Sequence, residues 1–210
     1  MRLPRLYAIL DAGTLNGRGV TVVRFAEALR NAGATLVQYR DKQGTEADIL
    51  ANAKRITDIF QGVRATLVMN DSPQLAKLAG WNAVHVGQHD EAVSEARKML
   101  PGGIVGCSTH NEEQVRAAVE AGADYIAIGP VFATGTKANP DPVVGLEGVR
   151  RARTLIRQPR LPLVAIGGVT PANAASVIDA GADSVAVISA LLREEKNLET
   201  GIEDFLRVLG

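Results

Sequence analysis

Charged and amide side chains follow three of the apolar segments in this chain, and together they could bind an anion and a metal ion. Gln38, Arg40 and Lys42 alternate after the first of these segments, so that an extended chain would place them on one face. Asp71 and Asp90 each follow a later apolar run. Magnesium prefers a few carboxylates completed by water and substrate phosphates. The pattern therefore indicates a magnesium site beside a cationic site for a diphosphate.

A second group of residues is typical of phosphate binding through the backbone. Gly167-Gly168 and Ile188-Ser189 directly follow the last two apolar runs. Backbone N–H groups bind phosphate where a strand turns into a helix. Lys137, in a segment between the two groups, would add positive charge. Two anion sites predict two phosphorylated substrates, or one substrate that is phosphorylated at both ends.

Each of these residues also has a purely structural interpretation. Arg40 and Lys42 could lie on a solvated strand end, and Asp71 or Asp90 could cap a helix. Gly167-Gly168 could simply allow a strand and a helix to pack closely. The sequence leaves these alternatives open.

The remaining reactive side chains point to structural roles. The spacing of His85, His89 and His110 matches no zinc motif, so we expect structural or surface roles for them. Cys107 has apolar neighbours and is expected to be buried and not to act as a nucleophile.

The elements that carry these residues repeat along the chain. Helix-ending glycines (Gly33, Gly80, Gly122 and Gly181) precede short apolar runs, and four more runs lie between them. The eight predicted strands begin near Leu6, Thr35, Thr66, Ala83, Ile104, Tyr125, Leu163 and Ser184. The 210 residues give about 26 per strand–helix unit, which predicts one α/β domain over residues 1–210, a (β/α)8 barrel. An open, doubly wound sheet is the alternative.

One segment fits neither strand nor helix periodicity. Val131 to Gly145 contains two prolines and no regular apolar spacing. Unstructured segments of about this length are usually lids or binding loops.

Composition excludes several classes of function. Lys and Arg total 23 against 23 Asp and Glu, so the chain lacks the basic excess of a nucleic-acid binder or a polybasic membrane anchor. The single cysteine excludes an intrachain disulfide and a multi-thiolate zinc site. No apolar run is long enough for an export signal or a membrane span, so we expect a cytoplasmic protein. The sequence leaves open whether it forms homo-oligomers.

At the polar groups the sequence resembles the thiamine phosphate synthase family. The resemblance covers nearly the whole chain, in the family's order and spacing. The matching stretches are QYRDK (38–42), MND (69–71), VHVGQHD (84–90), GCST (106–109), DYIAIGPVFATGTK (124–137), VAIGGVT (164–170) and AVISAL (186–191). The chain departs from frequent family residues at Ser72, His89 and Gly135.

The resemblance implies a barrel that joins a hydroxymethylpyrimidine diphosphate to a thiazole phosphate, or to its carboxylated form, and releases diphosphate. It implies Mg²⁺ on Asp71 and Asp90. The implied contacts to the pyrimidine diphosphate are Gln38, Arg40, Lys42, Asn70, Ser108 and Lys137, of which Arg40, Lys42, Ser108 and Lys137 would take part in catalysis. The implied contacts to the thiazole phosphate are Thr134, Thr136, Gly168, Ile188 and Ser189.

Other functions remain open on the sequence. A paralogue with the same barrel would isomerise a thiazole phosphate or bind it as a regulator. A phosphate-ligand sensor would keep Gly168 and Ser189 without needing two carboxylates. A phosphate-sugar isomerase would need a carboxylate placed as a general base. The full set of three cations and two carboxylates favours diphosphate chemistry over these alternatives.

Overall fold

Eight parallel strands form a closed barrel in the computed structural model, which describes residues 1–135, 141–156, 161–193 and 197–210. The strands are β1 (Leu6–Asp11), β2 (Leu36–Arg40), β3 (Thr66–Asn70), β4 (Ala83–Val86), β5 (Ile104–Thr109), β6 (Tyr125–Ile128), β7 (Leu163–Ile166) and β8 (Ser184–Val187). Each strand overlaps the apolar run that predicted it, and the bounds agree to within a few residues.

The ends of the sheet meet between the first and last strands. Each strand pairs in parallel with its sequence neighbours, and β1 also pairs with β8, with Leu6 opposite Val185 and Ala8 opposite Val187. The predicted barrel is therefore confirmed, and the open-sheet alternative is wrong. Closure places the carboxyl ends of all eight strands around one mouth.

Helices connect the strands on the outside of the barrel. They are α1 (Ala12–Asn16), α2 (Val22–Asn31), α3 (Glu46–Ile59), α4 (Pro73–Leu78), α5 (Val93–Met99), α6 (Glu112–Glu120), α7 (Gly145–Leu155), α8 (Ala174–Asp179) and α9 (Leu198–Leu209). Thr45 and Asp48 form a reciprocal capping box at the start of α3. The four glycines predicted to end helices all have positive φ angles, between 73° and 110°. No helix in the described ranges is long and apolar enough to cross a membrane.

Two apolar layers hold the barrel together. The larger layer lies between the strands and the helices and includes Phe25, Ile56 and Phe205. The smaller layer fills the barrel interior and includes Tyr7 and Tyr125. The interior is packed with these side chains, and the cavity described below lies at the mouth.

Candidate active site

A cavity of about 750 Å³ opens at the carboxyl ends of the strands. It is lined by every predicted site residue that the structure describes: Gln38, Arg40, Lys42, Asn70, Asp71, Asp90, Ser108, Thr134, Gly168, Ile188 and Ser189. The other two predicted residues, Thr136 and Lys137, lie outside the described residues. Residues more than a hundred positions apart in sequence thus share one cavity.

The two cations at the end of β2, Arg40 within it and Lys42 just after it, each face a carboxylate. Arg40 forms an ion pair and hydrogen bond with Asp11, the last residue of β1. Lys42 forms an ion pair with Asp71, which follows β3. Arg40, Lys42 and Asp71 line the cavity, and each of the two cations is paired there with a carboxylate.

Asp11 was not among the residues singled out from the sequence. Its carboxylate accepts hydrogen bonds from the backbone N–H of Thr14 at 2.8 Å and from the Thr14 hydroxyl at 2.6 Å, and so caps α1. Burial opposes ionisation, but these hydrogen bonds and Arg40 outweigh it and lower the pKa of Asp11. Asp11 is therefore a negatively charged partner that holds the Arg40 side chain in place. Its position at a strand end was the signal that could have found it.

Asp71 and Asp90 form a close pair of carboxyl groups. The Asp71 backbone adopts a φ of 63°, and its N–H donates to the His85 carbonyl at 2.7 Å. Asp90 accepts a 2.7 Å hydrogen bond from the Gly87 N–H. Burial raises the pKa of Asp71, Lys42 opposes this shift, and a hydrogen bond and repulsion from Asp90 add to it. The pair is thus a place where a cation would relieve repulsion between two carboxylates.

Neither aspartate caps a helix, so that alternative is wrong. Ser72 is the N-cap of α4 and accepts a hydrogen bond from the Leu75 N–H at 3.1 Å. Helix α5 begins at Val93, after Asp90 and two further residues. Within the described ranges, no three His, Cys, Asp or Glu side chains form a metal site by themselves. Two carboxylates completed by water and phosphate oxygens match the preference of magnesium.

The glycine turn after β7 lies close to the segment after β6. Gly168 has a φ of 65°, and a Cβ there would lie 2.7 Å from the carbonyl oxygen of Ala133. The N–H groups of Val131 and Phe132 donate to Ile166 and Gly167 at 2.8 and 3.0 Å. These contacts fix the start of the segment that carries Thr134, directly beside the turn.

A chain of buried hydrogen bonds crosses the barrel at the floor of the cavity. It runs from Gln38 through Tyr7, Tyr125 and His85 to Ser108, with successive distances of 2.7, 2.8, 3.0 and 2.8 Å. The ring of His85 also stacks on that of Tyr125, with centroids 5.4 Å apart. Only the two ends of this chain were predicted as site residues. His85 was expected to be structural, and no sequence signal joined the two tyrosines to it.

Cys107 is buried, as predicted, with 6% of its surface exposed. Burial raises the pKa of its thiol to about 11, which suppresses the nucleophilic thiolate. His110 has Nδ1 2.7 Å from the Gly129 carbonyl oxygen and Nε2 3.4 Å from a carboxylate oxygen of Asp141. His89 lines the cavity beside Asp90.

A closed (β/α)8 barrel whose mouth combines a cationic rim, paired carboxylates and a glycine turn defines a class of enzymes that act on phosphorylated small molecules. Sequence comparison identifies the particular group. The family model described as thiamine monophosphate synthase matches residues 6–191, and the chain belongs to this family.

Similar proteins cover nearly the whole chain. A thiamine-phosphate synthase of Koribacter versatilis is 47% identical over 100% of this chain and 97% of that protein. One from Chloroflexus aurantiacus is 40% identical over 90% of this chain and 85% of that protein. The solved thiamine phosphate pyrophosphorylase of Pyrococcus furiosus superposes with a TM-score of 0.84 at 28% identity, covering 98% of this chain and 95% of that one.

Proposed function

We propose that this chain is a thiamine-phosphate synthase that joins hydroxymethylpyrimidine diphosphate to a thiazole phosphate. One observation carries the proposal: a single cavity of about 750 Å³ contains both a cation-and-carboxylate rim and a glycine turn. That arrangement suits one diphosphate and one monophosphate bound at the same time. The family and the names of its relatives support the same activity.

The residue roles follow the two halves of the cavity. Gln38 and Asn70 bind the pyrimidine, while Arg40, Lys42 and Ser108 bind its diphosphate. The thiazole phosphate lies against Thr134, Gly168, Ile188 and Ser189. Thr136 and Lys137, which lie outside the described residues, extend the two sets. We place this reaction in the cytoplasm because its substrates are charged phosphates.

Asp71 and Asp90 would hold Mg²⁺. Burial raises the pKa of Asp71, and repulsion from the neighbouring Asp90 carboxyl group, which a divalent cation would relieve, adds to that rise. A magnesium ion held there would supply positive charge beside the departing diphosphate. Lys42 contacts Asp71 directly and so links the metal site to the diphosphate site.

The side chains accelerate a substitution at the methylene carbon between the pyrimidine and its diphosphate. Arg40 and Lys42 offset negative charge that grows on the leaving group. The thiazole nitrogen attacks the same carbon, and the backbone turn at Gly168 holds the thiazole phosphate in place for it. The aminopyrimidine shares positive charge left on the carbon, so the step needs no protein nucleophile. The buried Cys107 is consistent with this mechanism.

An activity assay separates the proposal from its rivals. Purified protein is incubated with the pyrimidine diphosphate, the thiazole phosphate and Mg²⁺, and diphosphate and thiamine phosphate are measured. Equal amounts of both products support the proposal. Tight binding of the thiazole phosphate without product would instead favour the regulator or the thiazole isomerase.

Magnesium dependence tests the carboxylate pair. Asp71→Asn and Asp90→Asn should each raise the Mg²⁺ concentration for half-maximal activity by about tenfold or more, since each removes one charged ligand. Asp58→Asn is the matched control, because Asp58 lies on the exposed face of α3 and pairs only with Lys54 among its described salt bridges. Unchanged Mg²⁺ dependence in both site variants would show that the metal is bound elsewhere.

A further inference from the structure

The hydrogen-bond chain at the floor of the cavity is buried along almost its whole length. The exposed fractions are 3% for Gln38, 1% for Tyr7, 0% for Tyr125 and 8% for His85. Buried polar groups must find partners within the protein, so each proton in the chain has a defined position. Only Ser108, at the far end, is more accessible.

The direction of every hydrogen bond follows from its first donor. The Gln38 amide nitrogen can only donate, and it donates to the Tyr7 hydroxyl oxygen at 2.7 Å. Tyr7 then directs its own proton to Tyr125, and Tyr125 directs its proton to Nδ1 of His85. Burial raises the pKa of both tyrosines, so both hydroxyls keep the protons they donate.

The remaining steps carry this direction to the cavity. Because Nδ1 of His85 accepts from Tyr125, the ring proton lies on Nε2 and is donated to the Ser108 oxygen at 2.8 Å. Ser108 has then accepted within the chain, and its own proton is available to a ligand. At the other end, the Gln38 amide oxygen is available as an acceptor.

We propose that Tyr7, Tyr125 and His85 are positioning residues that set the hydrogen-bond polarity of the active site. They present the Ser108 hydroxyl as a donor to the diphosphate. They also present the Gln38 carbonyl oxygen as an acceptor for the amino group of the pyrimidine. The inference rests on the proposed function, because that function supplies the diphosphate and the aminopyrimidine.

The opposite polarity would give a different site. If the Gln38 amide were reversed, Tyr7 would donate to it and every later bond would reverse as well. Ser108 would then donate to His85 and present only lone pairs to the cavity. An anionic diphosphate would be repelled by such lone pairs, whereas a hydroxyl donor gives it a charge-assisted hydrogen bond.

The position of the proton on the His85 ring tests the direction of the hydrogen bonds directly in the unmodified protein. Heteronuclear NMR of isotope-labelled histidine distinguishes the two neutral tautomers and the cation. The chain has three histidines, so His89→Ala and His110→Ala assign the signals by elimination. We expect the proton on Nε2, without ligand and with the pyrimidine diphosphate bound. A proton on Nδ1, or on both nitrogens, would overturn the proposal.

Tyr125→Phe tests whether the polarity matters for the reaction. The substitution keeps the stacked ring and removes the hydroxyl that fixes Nδ1 as an acceptor. We expect kcat about tenfold lower, an unchanged KM for the thiazole phosphate, and a mixed tautomer signal from His85. Tyr39→Phe is the matched control, because Tyr39 is also buried but bonds to Asn52 and Asp41 outside the chain.

Tyr7→Phe breaks the same hydrogen-bond chain at a second place and should lower kcat in the same way. It serves as the test if Tyr125→Phe does not fold. Normal kcat in a folded Tyr7→Phe or Tyr125→Phe variant would refute the positioning role. Absence of product from the unmodified enzyme would instead refute the proposed function, while the His85 tautomer would still decide the polarity.

Discussion

Asp11→Asn would separate the charge of this residue from its role as a helix cap. Asparagine still accepts the hydrogen bonds from Thr14 that cap α1, but it gives Arg40 no negative partner. Asp11 is 5% exposed, so solvent screens its pair with Arg40 only weakly. Hydrogen bonds between charged groups contribute about 1.5–3 kcal/mol, and we expect the free energy of unfolding to fall by about 2 kcal/mol.

Urea unfolding at neutral pH measures this loss, and kinetics measure its consequence for the site. A loss of about 2 kcal/mol corresponds to a decrease of about 4–8 °C in Tm for a chain of this size. Release of Arg40 should raise the KM for the pyrimidine diphosphate by about tenfold. Asp11→Ala should cost about 1 kcal/mol more in stability, since it also removes the cap.

The pH dependence gives a further check on the same pair. The folded-state pKa of Asp11 is lowered, so its stabilisation is fully present above the ordinary aspartate pKa of about 4. The stabilisation is lost as the pH falls through the lowered pKa, where the wild-type carboxyl becomes protonated. The stability difference from Asp11→Asn should therefore shrink in acid. A loss no larger than that of the exposed control Asp58→Asn, with an unchanged KM, would refute this account of Asp11.

Three other substitutions and reactions test separate features. In Gly106→Ala, the new Cβ would lie 2.0 Å from Cζ of Tyr125, so displacement of the ring should lower the free energy of unfolding by about 2–3 kcal/mol in urea. Gly168→Ala adds a Cβ at a φ of 65° and close to Ala133. The KM for the thiazole phosphate should rise about tenfold while the KM for the pyrimidine diphosphate stays constant. Equal effects on both KM values would contradict the assignment of the two substrates to separate halves of the cavity. Cys107, with its thiol pKa raised to about 11 by burial, should react with a thiol reagent at pH 8 only after unfolding in urea; equal rates in folded and unfolded protein would disprove its burial.

Features that depend on local sequence were predictable, and those that depend on barrel closure were not. The glycine-and-apolar-run repeat predicted the strands because helix ends and buried strands each have local signals. Asp71 and Asp90 could be paired because they follow successive strands. Asp11 was read only as the end of an apolar segment, since its partner Arg40 is brought beside it by the pairing of β1 with β2.

The buried hydrogen-bond chain shows the same limit more strongly. Tyr7 and Tyr125 are 118 residues apart, on strands that do not pair with each other, and their hydroxyls meet only inside the closed barrel. Either residue alone looks like an ordinary core aromatic residue in the sequence. Their joint role depends on which side chains point inward at the same height, and only the three-dimensional register supplies that information.

The closure of β1 onto β8 also fixes the distances between the ends of the strands around the mouth of the barrel. The described residues proposed for the pyrimidine diphosphate lie in or directly after β2, β3 and β5, and the glycine turn follows β7. The separation between the two substrates is therefore set by strand number and hydrogen-bond register, which are stiff, rather than by loop conformation. Changing that separation would require a different barrel, whereas the identity of the groups at either end can change one residue at a time. The fold thus constrains the geometry of bond formation more tightly than it constrains the choice of substrates.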